Sequence, residues 1–202
     1  MSRSVRNLTR ALIATGATAA TVAVAAPPAS AATYTGYNQG PCAQAAGTAY
    51  RSQLKIPVTE LNVPLVNWIN QPVGSFNATT AYMTMNVEWC TNGSRVTYAT
   101  IAQSNADRTT GGAASNLERK SYQKAGTPPT AVGGPYTLVT SASWGRNATA
   151  NISANPFGIG GQASFGLANF TSTMTVKVYP TNGTVECTGT SGGNAEPCSL
   201  NY

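Results

Sequence analysis

Histidine is absent from all 202 residues. That removes the Ser-His-Asp and Cys-His arrangements, most catalytic zinc sites and the commonest general base near neutral pH. Serine or cysteine nucleophiles would lack their usual activator. Six carboxylates remain, Glu60, Glu88, Asp107, Glu118, Glu186 and Glu196. A glycosidase needs two of them flanking one bond, and no local pattern brings two together. Glu88 is the best single acid because Asn86 and Trp89 adjoin it, although its simpler reading is an outward strand residue beside Thr97. One aspartate is too little for calcium. Gly158, Gly160 and Gly161 precede no helix and lack the lysine of a phosphate loop. The chain therefore reads as a non-enzyme, with neither metal nor other cofactor expected.

Contact chemistry is what remains. Trp68 and Trp144 fall at the ends of expected strands, where binding loops start, and Arg146 follows Trp144 by two. Exposed aromatic rings can stack on sugars while amide side chains satisfy hydroxyls, so these three are the candidate ligand-binding residues. Trp89 reads as core. A second candidate is an extended N-terminal arm, residues 32–50, whose Tyr34, Tyr37 and Tyr50 could meet a partner by strand addition.

The element that must position these groups is residues 79–103, read as a β-hairpin. Before Asn92-Gly93, the odd positions Ala81, Met83, Met85, Val87 and Trp89 are apolar, and the even ones are largely polar. Asn-Gly suits a two-residue type I′ turn. Such a turn sets Trp89 opposite Val96, Val87 opposite Tyr98, Met85 opposite Thr100 and Met83 opposite Ala102. An isolated hairpin is marginal, so more sheet must cover this face.

Residues 1–31 read as a secretory leader, with Arg3, Arg6 and Arg10 ahead of an apolar run and Ala29-Ser30-Ala31 at its end. Its composition resembles leaders of secreted proteins from high-GC Gram-positive bacteria. Cleavage would leave 171 residues with nine basic and six acidic side chains, a net charge of +3 rather than +6. Cations so few and dispersed argue against nucleic-acid binding. Four cysteines in an exported chain imply two disulfides. Cys187 and Cys198 bracket a loop without core residues and are expected to pair, leaving Cys42 with Cys90.

Elsewhere, Leu54/Ile56/Val58 and Leu61/Val63/Leu65 read as two short strands, which Pro57 and Pro64 assign to sheet edges. Residues 104–135 read as a long irregular loop, within which 117–124 suits a helical turn or a polar edge strand. Residues 136–144 alternate as a strand. Residues 147–154 alternate small polar and small apolar side chains, and apolar parity switches near Ala168–Phe170, marking a bulge or a new strand. Asn182-Gly183 suggests a last hairpin with Val178 opposite Cys187, placing that cysteine inward. Seven N-x-S/T tripeptides occur, consistent with Asn turns before Thr-rich strands.

Many short strands without a convincing helix imply an all-β fold, an antiparallel β-sandwich of Ig-like or jelly-roll-like type stapled by disulfides. The division expected is leader 1–31, arm 32–50 and one sandwich domain 51–202. The function expected is a secreted, non-catalytic interaction protein, an adaptor or accessory subunit of an extracellular or cell-surface assembly. Its partner would be another secreted or surface protein. The alternatives are a carbohydrate- or cell-wall-binding module and a pore-forming toxin inserting residues 147–171, the only one of the three readings that involves a membrane.

Overall fold

A computed structural model describes residues 32–33, 47–181 and 183–200. It holds twelve strands, β1 (Ala32–Thr33), β2 (Thr48–Val66), β3 (Pro72–Thr91), β4 (Val96–Arg108), β5 (Glu118–Thr127), β6 (Tyr136–Arg146), β7 (Ala150–Ser153), β8 (Gln162–Phe165), β9 (Ala168–Val178), β10 (Val185–Ser191), β11 (Asn194–Glu196) and β12 (Ser199–Leu200). Among the described residues one short helix, α1 (Thr110–Ala114), and a 3₁₀ turn (Asn155–Phe157) interrupt them. The first sheet runs β4-β3-β2-β8-β7, with β1 and β12 also on β2; the second runs β11-β10-β9-β6-β5. Every pairing is antiparallel.

The alternation on β3 does what its side chains require. Met83, Met85, Val87 and Trp89 are fully buried and meet Leu138, Trp144, Met174 and Val176 from the second sheet in one core. Two sheets closed on a shared apolar interior form a β-sandwich. Trp89 also stacks on Tyr50, ring centroids 5.4 Å apart.

The central hairpin forms, but in a different register. Trp89 faces Ala99, Val87 faces Ile101, Met85 faces Ser104 and Met83 faces Ala106. The reason is the turn. Of Asn92-Gly93 only Gly93 has positive φ (88°), so a type I′ turn, which needs two such residues, cannot form. Instead Asn92 Oδ1 accepts from the backbone N–H of Ser94 and Arg95, spreading the connection over residues 92–95. Bulges at Asn86/Val87 and Cys90/Thr91 then restore inward apolar positions on β4.

β2 corrects the reading of two edge strands. It is one strand of 19 residues paired with β3 along its length. The prolines fit because the other edge of β2 is unpaired between Lys55, where β12 ends its pairing, and Leu65, where β8 begins. Residues 104–135 are likewise mostly regular: β4 continues to Arg108, and β5 is the polar edge strand. Thr109 starts α1, its hydroxyl accepting from Gly112 N–H. The parity switch at Ala168–Phe170 marks a new strand, because β8 lies in the first sheet and β9 in the second. In the last hairpin Val178 faces Val185 and Cys187 faces Val176, a two-residue slip that leaves Cys187 on the expected side.

Cys187 and Cys198 are bonded, Cα atoms 5.9 Å apart. Cys90 is disulfide-bonded as well, while Cys42, its expected partner, lies outside the described residues. Disulfides suit an oxidising compartment. No helix among the described residues is long and apolar enough to cross a membrane. The leader, and Tyr34 and Tyr37 of the arm, also lie outside the described residues. Ala32–Thr33 pairs with Tyr50 and Arg51 of the chain's own β2.

Candidate functional site

Charge is distributed unevenly along the sequence. No Asp, Glu, Lys or Arg occurs at 61–87 or at 147–176. The fold brings these two stretches together. β8 pairs with the end of β2 at Leu65 and Val66, and β7 pairs with β8. Between them lies a second, smaller core of Val63, Ala78, Ala150, Ala154, Ala163 and Phe165. Thus the small apolar positions of 147–154 include two, Ala150 and Ala154, packed within the protein; Ala148 is exposed.

At the tip of this uncharged end, the β2–β3 loop displays Trp68, which is 87% exposed, beside Ile69 and Val73. The loop is fixed by its own asparagines. Asn67 Oδ1 accepts from Ile69 N–H at 3.1 Å and Gln71 N–H at 2.9 Å, and Asn67 N–H donates to the Gln71 carbonyl. Asn70 takes φ = 60°, a left-handed conformation that asparagine tolerates. Asn151 Nδ2 of β7 donates to Asn70 Oδ1 at 3.0 Å, tying the tip to the second core. The bulky apolar groups are therefore held in water by a preformed scaffold. A second apolar pair, Leu61 and Leu167, is also exposed; each follows a residue, Glu60 or Gly166, that accepts from Arg146 Nη1.

No family model, curated protein or solved structure matches this chain.

Of the three candidate ligand-binding residues, Trp68 alone reaches the surface. Trp144 is fully buried in the main core, because β6 turns its even positions inward. Arg146, next inward but one, is 2% exposed and uses all five N–H groups. Nη1 and Nη2 grip both oxygens of Glu60 at 3.0 and 2.8 Å. The remaining donors reach the Gly166 carbonyl, the Ser115 carbonyl and the Ser115 hydroxyl. The guanidinium also lies 4.9 Å from the Phe165 ring centroid. It is a fastening between the sheets and offers nothing to an outside ligand. Tyr50, assigned to the arm, belongs to β2 and covers Trp89.

Each carboxylate already has a partner. Glu60 has Arg146; Glu88, on the outer face as expected, lies 3.7 Å from Arg51 rather than beside Thr97. Asp107 accepts from Asn105, Glu118 from Lys120, Glu186 from Tyr179 and Glu196 from Thr59. The Lys120 hydrogen bond and charge hold the Glu118 carboxyl below its ordinary value. Burial pushes Glu196 above the ordinary carboxylate range, against two Thr59 hydrogen bonds that lower it. Burial, and then the bond to Glu186, raises the Tyr179 phenol. Among the described residues no group of three or more His, Cys, Asp or Glu could hold a metal ion.

Trp68 was legible as a strand-end aromatic. Ile69, Val73 and the bracing asparagines were not singled out, although Asn67 and Asn70 around Trp-Ile carry the turn chemistry that could have shown them.

Proposed function

We propose that this chain is a secreted, non-catalytic interaction protein, an adaptor or accessory subunit that docks on another exported or surface protein through its uncharged end. Trp68, 87% exposed on a hydrogen-bonded loop, carries this reading. A tryptophan buries about 150–250 Å² on contact, roughly 4–6 kcal/mol gross at 25 cal/mol per Å². Ordering costs reduce that yield, and a loop already fixed by Asn67 limits them. Tryptophan is among the residues enriched at binding hot spots. The engagement of all six carboxylates, together with the missing histidine, supports contact rather than turnover.

The test is capture from culture supernatant by tagged wild-type chain and Trp68→Ala. One stoichiometric protein retained by the wild type and lost from the variant is the expected result. A monomer that elutes alone in both cases rejects the proposal. The amides of Asn67, Asn70, Gln71 and Asn151 around Trp68 favour one second reading, a neutral polysaccharide ligand. Retention on cellulose, chitin or peptidoglycan that Trp68→Ala abolishes would establish that reading in place of the first.

A further inference from the structure

A different surface carries its own inference, independent of Trp68. β4 is the outermost strand of one sheet and β5 of the other. They run antiparallel along the same flank of the sandwich, joined through α1, yet no backbone ladder connects them. Side chains bridge one end of the seam. Arg119 Nη1 donates to the Ala106 carbonyl at 2.7 Å, and Arg108 Nη1 donates to the Leu117 carbonyl at 2.8 Å. The Arg119 bond shows that the Ala106 carbonyl on the edge of β4 is turned toward β5, where a side chain rather than a strand meets it.

Two hollows open along this seam. One of about 400 Å³ is lined by Ala106, Asp107, Arg108, Glu118 and Arg119. The other, about 250 Å³, lies between residues 99–101 of β4 and 124–126 of β5 and is floored by Tyr136 and Leu138. Beneath the stretch between them, Ser104 Oγ and Tyr122 OH are buried without a hydrogen-bond partner among the described residues.

The charge of the seam is one-sided. Glu118 is spoken for by Lys120. Arg108, Arg119 and Lys124 have no carboxylate within ion-pair distance among the described residues, against the single carboxylate of Asp107. Cations on an edge strand discourage a second copy of the same edge from pairing. They leave an acidic strand free to approach, since opposite charges along paired strands are favourable. Edge addition also draws affinity from main-chain hydrogen bonds, so it needs no distinctive side-chain pocket.

We propose that the β4–β5 seam is a receptor groove for an extended acidic segment of a partner protein, added as a strand on the free edge of β4 where the hollow opens beside residues 99–101. The probe is a fluorescein-labelled octapeptide of alternating Glu and Val, titrated against the intact chain by anisotropy. Expected is saturable binding at least tenfold tighter than that of the Lys-Val counterpart. N-methylating alternate amides should weaken it at least tenfold, and so should Lys124→Glu, an exposed site whose melting temperature serves as the folding control. Trp68→Ala should leave it unchanged, which separates this groove from the uncharged end. Three results overturn the proposal: no saturable binding, binding that survives N-methylation, or equal competition by heparin, which would mean bare charge attraction.

Discussion

Replacing Arg146 by Met tests whether the buried fastening between the sheets works as described. Methionine keeps an apolar stem over Phe165 and removes the guanidinium. Glu60, whose side chain is 15% exposed, then loses its counter-charge, and the Gly166 carbonyl and both Ser115 oxygens lose donors. Removing one member of a buried ion pair costs about 3–5 kcal/mol, mostly because the other is left uncompensated. For a domain of this size 1 kcal/mol shifts the melting temperature by about 2–4 °C. The expected loss is therefore on the order of 10 °C in calorimetry, with a matching fall in the urea midpoint. A second substitution separates charge burial from plain packing. Adding Glu60→Leu to Arg146→Met removes the stranded carboxylate and should recover about 1–4 kcal/mol, giving a clear coupling in the double-mutant cycle. Arg146→Lys should rescue poorly, because an ammonium cannot make the two-pronged contact. A cost under about 1 kcal/mol for Arg146→Met, or a double variant no better than the single one, would refute the reasoning.

Trp144→Ala should cost about 3–5 kcal/mol in urea unfolding, whereas Trp68→Ala should stay within about 0.5 kcal/mol because its ring is exposed; equal effects would mean the two tryptophans are misplaced. Cys187→Ser with Cys198→Ser opens a loop of sequence separation 11, for which chain entropy gives a loss of about 3 kcal/mol, measurable as a lowered urea midpoint. A Cβ at Gly112 would stand 1.8 Å from the Thr80 carbonyl oxygen, so Gly112→Ala should destabilise by about 1–3 kcal/mol, and a neutral result would show that α1 does not press on β3. Glu196 is raised in the fold, chiefly by burial. Folding therefore favours its protonated form, and that contribution is complete below the unfolded carboxylate value and lost as pH rises through the higher folded one. Denaturation of wild type against Glu196→Gln from about pH 4 to 7 should show the wild type losing ground as pH rises; the opposite slope excludes the assignment.

Local alternation was enough to read the inward face of β3 and the core role of Trp89, since a strand's two faces are set by its own period of two. It located the break near Ala168–Phe170, but only the sheet topology separated a new strand from a bulge. The Cys187–Cys198 bond was equally legible, because its loop is short and has no core residues of its own. The absence of histidine, on which the proposed contact-based reading rests, also needed no coordinates. Pairing between strands was another matter. The register of the β3–β4 hairpin slipped because Asn92 spends its side chain on backbone donors, and bulges then repaired the inward pattern. β2 stayed whole despite Pro57 and Pro64, because its far edge is unpaired where they lie. β5 is a strand because β6 supplies a ladder, not because its polar sequence asks for one. Glu60 and Arg146 stand 86 residues apart, and nothing near either one marks the other as its counter-charge. The two tryptophans make the same point: both lie near a strand's end, but Trp144 is within β6 with its ring inside the sandwich, and Trp68 is in the loop beyond β2 with its ring in water. A side chain's face is a local property. Whether that face meets another sheet or water depends on which remote segments arrive there, and only the tertiary structure decided that.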